Sequence, residues 1–150
     1  MNLKSTNKYT FDVEKKILKE AGLKMTPGRL SVLKYFKDFP TPSNTEIIYK
    51  KIGREKIDLA TIYRILNSFL KHKLIRRVEI GGKAVYYELA DKIHHHHLIC
   101  INCRKIRDIE GCNFEEILSK VRKENSDFSE IKTHSFEVFG VCNVCAKLKK

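Results

Sequence analysis

Two cysteine pairs, Cys100-Ile101-Asn102-Cys103 and Cys142-Asn143-Val144-Cys145, constrain this chain more than any other feature. A Cys-x-x-Cys turn lets one ion take two thiolates, and a second pair completes the tetrahedral coordination that zinc prefers. The pairs are separated by 38 residues, so a shared ion would knit together the ends of a small αβ module and contribute directly to its folding. Four protein thiolates leave no open coordination position, which makes the expected role structural. Two unrelated reduced pairs are the competing reading. The fifth thiol, Cys112, has no partner in sequence and is expected to be a spectator.

Immediately before the first pair runs His94-His95-His96-His97. Neutral imidazole suits divalent zinc, iron, nickel and copper. The run continues into Leu98-Ile99 and reads as a strand, on which successive side chains alternate, so His94 and His96 face one way and His95 and His97 the other. One run can therefore feed two metal sites. Surface histidines or a purification tag are the competing readings, and the internal position within a strand pattern argues against them.

Enzymatic signatures are missing. A zinc nucleobase deaminase needs a His-x-Glu and a proline before its Cys-x-x-Cys, where this chain has Ile99 and Val141. There is no His-Glu-x-x-His, nucleophile elbow or phosphate-cradling glycine loop. The chain is expected not to be an enzyme. A metal-dependent hydrolase activating water on the histidines, or a metal-storage protein, is the alternative of another class.

Upstream, the pattern is helical. Phe11, Val13, Ile17, Leu18 and Ala21 fit one face of a helix that stops at Gly22. Thr26-Pro27 opens a second helix carrying Leu30, Val32, Leu33 and Phe36, ended by Asp38-Phe39-Pro40. Thr41-Pro42 and the capping box Ser43-x-x-Glu46 announce a third, with Ile47, Ile48 and Ile52, ending near Gly53. Asp58 caps a fourth over Leu59 to Leu70, with Leu59, Ile62, Ile65, Leu66 and Phe69 inward and Thr61, Tyr63, Arg64, Asn67 and Ser68 outward or at the edge. Two β-rich runs, 74–80 and 83–89, flank Gly81-Gly82 as a hairpin. Helices followed by a hairpin give the order of a winged helix-turn-helix, whose last helix enters the major groove while the wing, here Arg76, Arg77 and Lys83, lies along phosphates.

Charge points the same way. The formal charge is +12, with 19 Lys and Arg against 9 Asp and Glu in residues 1–90 but 11 against 9 in 91–150. A basic surplus confined to one module indicates a phosphate-rich partner, nucleic acid or an anionic membrane. No apolar run of bilayer length and no secretory signal core are present, so the expected location is the cytoplasm, where five cysteines favour metal over disulfides.

The fold class expected is α+β, a winged-helix DNA-binding domain over 1–89, a hinge at 90–93 and a small αβ domain over 94–150. Within the last, Ile106 to Ile109 reads as a strand, Phe114 to Val121 as a helix, and Ile131 to Val141 as an alternating strand with His134, Phe136 and Val138 on one side and Ser135, Glu137 and Phe139 on the other.

From about Gly22 to Cys145 the chain resembles the ferric uptake regulator family of metal-sensing transcription repressors. The matching stretches are Gly22-Leu23-Lys24-Met25-Thr26-Pro27-x-Arg29, Leu59 to Asn67, Tyr87-Glu88-Leu89, His94 to Cys103 and Gly140-x-Cys142-x-x-Cys145. The resemblance implies a dimerising second domain and affinity for double-stranded DNA controlled by bound metal. It assigns Cys100, Cys103, Cys142 and Cys145 to structural Zn2+; Glu88, His95, His97 and Asp108 to a regulatory site for Fe2+ or Zn2+; and His94, His96, Glu115 and His134 to an additional site. It implies DNA contacts at Lys24, Tyr63 and Arg64, with Thr61, Asn67, Arg76 and Arg77 as further candidates from the helix and wing. Iron sensing is the expected branch, because Glu88 stands where the peroxide-sensing branch has aspartate; zinc and peroxide sensing are the alternatives. Three positions depart from the family pattern: Thr41 replaces an interdomain histidine ligand, Gly28 replaces glutamine, and His96 replaces aspartate.

Overall fold

The structure, a computed structural model, describes residues 11–81, 84–91, 95–110, 114–132, 134 and 136–148. His94, Cys112, Gly82 and Lys83 lie outside the described residues. The chain divides into two compact units, Met1–Val78 with Lys83–Asp91, and Glu79–Gly82 with Lys92–Lys150.

Among the described residues the first unit has four helices, α1 (Asp12–Glu20), α2 (Pro27–Asp38), α3 (Thr45–Ile52) and α4 (Leu59–Lys71), and three short strands, β1 (Ser43–Asn44), β2 (Ile75–Val78) and β3 (Tyr86–Leu89). Gly22 ends α1 with φ +67, and Leu23 returns its N–H to the Leu18 carbonyl at 2.8 Å, a turn that L-residues resist. Thr26 caps α2 through Arg29 N–H. Leu18, Leu33, Phe36, Ile48, Ile62, Leu66 and Phe69 close over one core. Each such side chain contributes about 1.5–3 kcal/mol by leaving water, and together they fix how α4 lies on α2 and α3.

Several expectations change. Val13 points outward, 53% exposed, because it sits roughly 100° round the helix from the buried row, and Glu14 takes the inner place with its carboxylate 3.5 Å from Lys37 Nζ. Ser43 does not cap α3. Asn44 does, accepting the Ile47 N–H at 2.9 Å, because the Ser43 hydroxyl is engaged by Tyr35 Oη at 2.8 Å and donates to the Thr41 carbonyl. Ser43 instead pairs with Tyr87 in a sheet of order β1-β3-β2, a strand too short for any period to reveal. Leu59 opens α4 and stays part-exposed, since the core begins at Ile62. Among the described residues the hairpin ladder runs from Ile75↔Leu89 to Val78↔Tyr86. Past the ladder Ile80 is buried and Gly81 is left-handed at φ +71.

In the second unit β4 (His96–Cys100) is the central strand, antiparallel to β5 (Ile106–Ile109) and parallel to β6 (Glu137–Gly140). Helix α5 (Phe114–Glu124) lies between β5 and β6 in the chain, and α6 (Asn143–Lys147) follows Cys142. Of the strand expected over 131–141, Glu137–Gly140 is the part that pairs with β4 among the described residues, and Ser135 lies outside them. Helix α5 leaves Ile117 and Val121 of its apolar row exposed. No helix of the described residues is long and apolar enough to cross a membrane. The α+β class and the helix–wing order are those expected from the sequence.

Candidate metal centre

The four thiols converge because two turns face each other across the β4–β6 pair. After Cys100 the chain reverses through Ile101–Cys103, with Arg104 in the left-handed region at φ +60 and its N–H on the Cys100 carbonyl at 2.9 Å. The parallel register brings Gly140 beside Cys100, and its carbonyl accepts the Ile101 N–H at 2.9 Å, so Cys142 arrives two residues later against the first turn. Sulfur atoms of Cys100, Cys103, Cys142 and Cys145 lie within 4.8 Å of one another, and Cys103 Sγ is 3.7 Å from Cys142 Sγ. Zinc bonds sulfur at about 2.3 Å, so a tetrahedron has S···S edges of roughly 3.8 Å. The donor set and its spacing fit the ion.

Backbone N–H groups tune these sulfurs. The Cys103 N–H, then that of Cys142, favour the Cys100 thiolate and lower its pKa to about 6. The Cys145 N–H lowers Cys142. Cys145, donating toward Cys103 and Cys142, is pushed up to about 12. A bound dication would favour all four thiolates.

The imidazoles divide by strand face. His95 and His97 meet edge to face with ring centroids 4.9 Å apart, both buried. His96 turns to the other side, 5.3 Å from the His134 ring and 5.2 Å from Phe136. Cross-strand register sets the surroundings of His97: Asp108 is its partner on β5 and Glu137 its partner on β6. Asp108 Oδ1 is 3.9 Å from His97 Nε2, and Glu137 Oε2 is 3.3 Å from Nδ1. Two imidazoles and nearby carboxylates form a nitrogen and oxygen donor set suited to ferrous iron, manganese or zinc. Glu137 escaped the sequence reading because its alternating segment had no visible partner strand; a parallel pairing with the histidine strand was the missing signal. Glu115 lies exposed in the first turn of α5, and among the described residues no group of three including it falls within 4.8 Å.

In the first unit Glu88 is buried on β3 and accepts from Arg76 Nε at 2.8 Å, its neighbour in register. Arg76 is thus held in the sheet, while Arg77 is exposed. Tyr63, Arg64 and Asn67 are exposed along α4. Thr61 is engaged by Asp58, which caps the helix. Lys24 is exposed just before α2, its carbonyl accepting from Arg29 Nη1 at 3.1 Å. Thr41 is exposed.

A helix-turn-helix unit with a wing, followed by an αβ unit bearing a four-thiolate cluster and facing imidazoles, defines the class of metal-responsive transcription regulators. The profile of the ferric uptake regulator family matches residues 20–139, and the chain belongs to that family. It is 34% identical over 139 residues to the ferric uptake regulation protein of Campylobacter jejuni, covering 90% of this chain and 87% of that one. Its fold is similar to the Vibrio cholerae ferric uptake regulator, with TM-score 0.74, 29% identity and coverage of 85% and 98%. It is also similar to the Helicobacter pylori regulator, described as having three functional metal-binding sites, with TM-score 0.73, 28% identity and coverage of 91% and 94%.

Proposed function

We propose that this chain is a cytoplasmic, homodimeric repressor that binds a double-stranded DNA operator when ferrous iron fills its sensing site, and that it is not an enzyme. The carrying observation is His97, buried on the central strand with His95 against it and Asp108 beside its Nε2. His95, His97 and Asp108 would hold the regulatory ion, and the family resemblance adds Glu88 as a further ligand. The bound ion supplies a charge that ties these donors together. His96 and His134, with His94 and Glu115, would serve the additional site. Zn2+ belongs to the four thiolates, whose saturated coordination suits a structural ion.

Iron is favoured over zinc by the relatives' names as ferric uptake regulation proteins, and over peroxide sensing by Glu88, which stands where the peroxide-sensing branch has aspartate. Tyr63, Arg64 and Asn67 would read base edges from the exposed side of α4, with Lys24 and Arg77 on phosphates. A homodimer is supported by the apolar side chains that the second unit leaves exposed, Ile117 and Val121 among them. The deciding experiment loads chelated protein separately with iron, zinc and manganese under anaerobic conditions and titrates operator DNA. Tightening by iron at its free cellular level, unmatched by zinc, supports the reading; operator affinity indifferent to the labile ion defeats it.

A further inference from the structure

We infer that Glu137 is a positioning residue for the sensing site, fixing the ring orientation and tautomer of His97; this rests on His97 being a ligand of the regulatory ion. The carboxylate engages His97 at two points. It accepts the backbone N–H through Oε2 at 3.2 Å and lies 3.3 to 3.4 Å from ring Nδ1. The register pair His97↔Glu137 makes both contacts local to neighbouring strands. Both side chains are shielded, at 3% and 15% exposure. A carboxylate at Nδ1 accepts a hydrogen bond from the Nδ1–H and so favours that tautomer, which leaves the lone pair on Nε2, the atom on the Asp108 side. A carboxylate hydrogen-bonded to a ligand imidazole also raises its basicity toward the ion.

The test uses the full-length zinc-loaded chain and titrates Co2+ or Mn2+ into wild type, Glu137→Ala and Glu137→Gln against a competing chelator. The expected result is an affinity lower by about 10- to 100-fold in Glu137→Ala, with partial rescue in Glu137→Gln, whose amide oxygen still accepts from Nδ1. The d–d spectrum of bound Co2+ should change, and 15N spectra of the ion-free wild type should show His97 protonated at Nδ1. Thiolate-bound zinc should remain stoichiometric in all three. Affinities within twofold of wild type, or a His97 protonated at Nε2, overturn the inference. If Glu137→Ala does not fold, Glu137→Gln decides it alone: a wild-type affinity together with an unchanged spectrum overturns it. A wild-type chain that binds no ion beyond the thiolate zinc defeats the sensing reading itself, an outcome distinct from equal binding by wild type and variant.

Discussion

Asp58 holds Thr61 twice, accepting its backbone N–H at 2.8 Å and its hydroxyl at 2.6 Å, and so fixes the first turn of the helix that carries Tyr63, Arg64 and Asn67. The Thr61 hydroxyl, then its N–H, hold the Asp58 carboxyl below the usual carboxylate range. A group whose folded pKa is depressed adds stability above its unfolded value, about 3.9, and that stability is lost as pH falls through the folded value. Asp58→Ala should therefore lower the melting temperature at pH 6, with the gap to wild type closing as pH drops below about 4. Melting curves between pH 2.5 and 6 check this, and a gap constant across that range contradicts it.

The two faces of α4 should separate stability from DNA binding. Phe69→Ala empties a fully buried position and should cost about 3–5 kcal/mol. Tyr63→Ala, at a 48% exposed position, should change stability by less than about 0.5 kcal/mol. In gel-shift titrations the same Tyr63→Ala should weaken operator binding by about 1–3 kcal/mol. Equal operator affinity in Tyr63→Ala and wild type would remove this residue from the interface.

Gly28 stands under two isoleucines. A Cβ there would lie 3.1 Å from both Ile57 Cδ1 and Ile65 Cδ1. Alanine gains up to about 1 kcal/mol of helix propensity over glycine, and crowding opposes it. Gly28→Ala should be close to neutral alone and more favourable in an Ile57→Val background. A denaturation double-mutant cycle should return a coupling of about 0.5 kcal/mol or more; strict additivity contradicts the crowding account.

Thiolate zinc should be structural. Cys100→Ser removes the thiol buried between two N–H donors, and elemental analysis should show the tightly held zinc lost, with the second unit unfolding at lower temperature. Retention of that zinc in Cys100→Ser would place it elsewhere.

Ile117 and Val121, 53% and 39% exposed, lie one helical turn apart on α5. Ile117→Asp with Val121→Asp should raise the dimer dissociation constant at least about tenfold in sedimentation equilibrium, since charge desolvation at an apolar interface is costly. An unchanged constant would move the interface to another surface.

Much of the fold was legible because it is written in local chemistry. The Thr26 and Asp58 caps and the Gly22 stop act within four residues, so composition and spacing reveal them. The histidine split followed from strand alternation, and the cysteine cluster from ligand type and count. Where two local signals competed, a tertiary contact chose between them: Tyr35 claimed the Ser43 hydroxyl, leaving the α3 cap to Asn44.

By itself the sequence determined which atoms can bind metal and which faces of helices and strands carry them, since period and donor chemistry are properties of neighbouring residues. Only the tertiary structure decided what those faces meet. Strand register is set by contacts between segments far apart in the chain, and it alone placed Asp108 and Glu137 on either side of His97 and Gly140 beside Cys100.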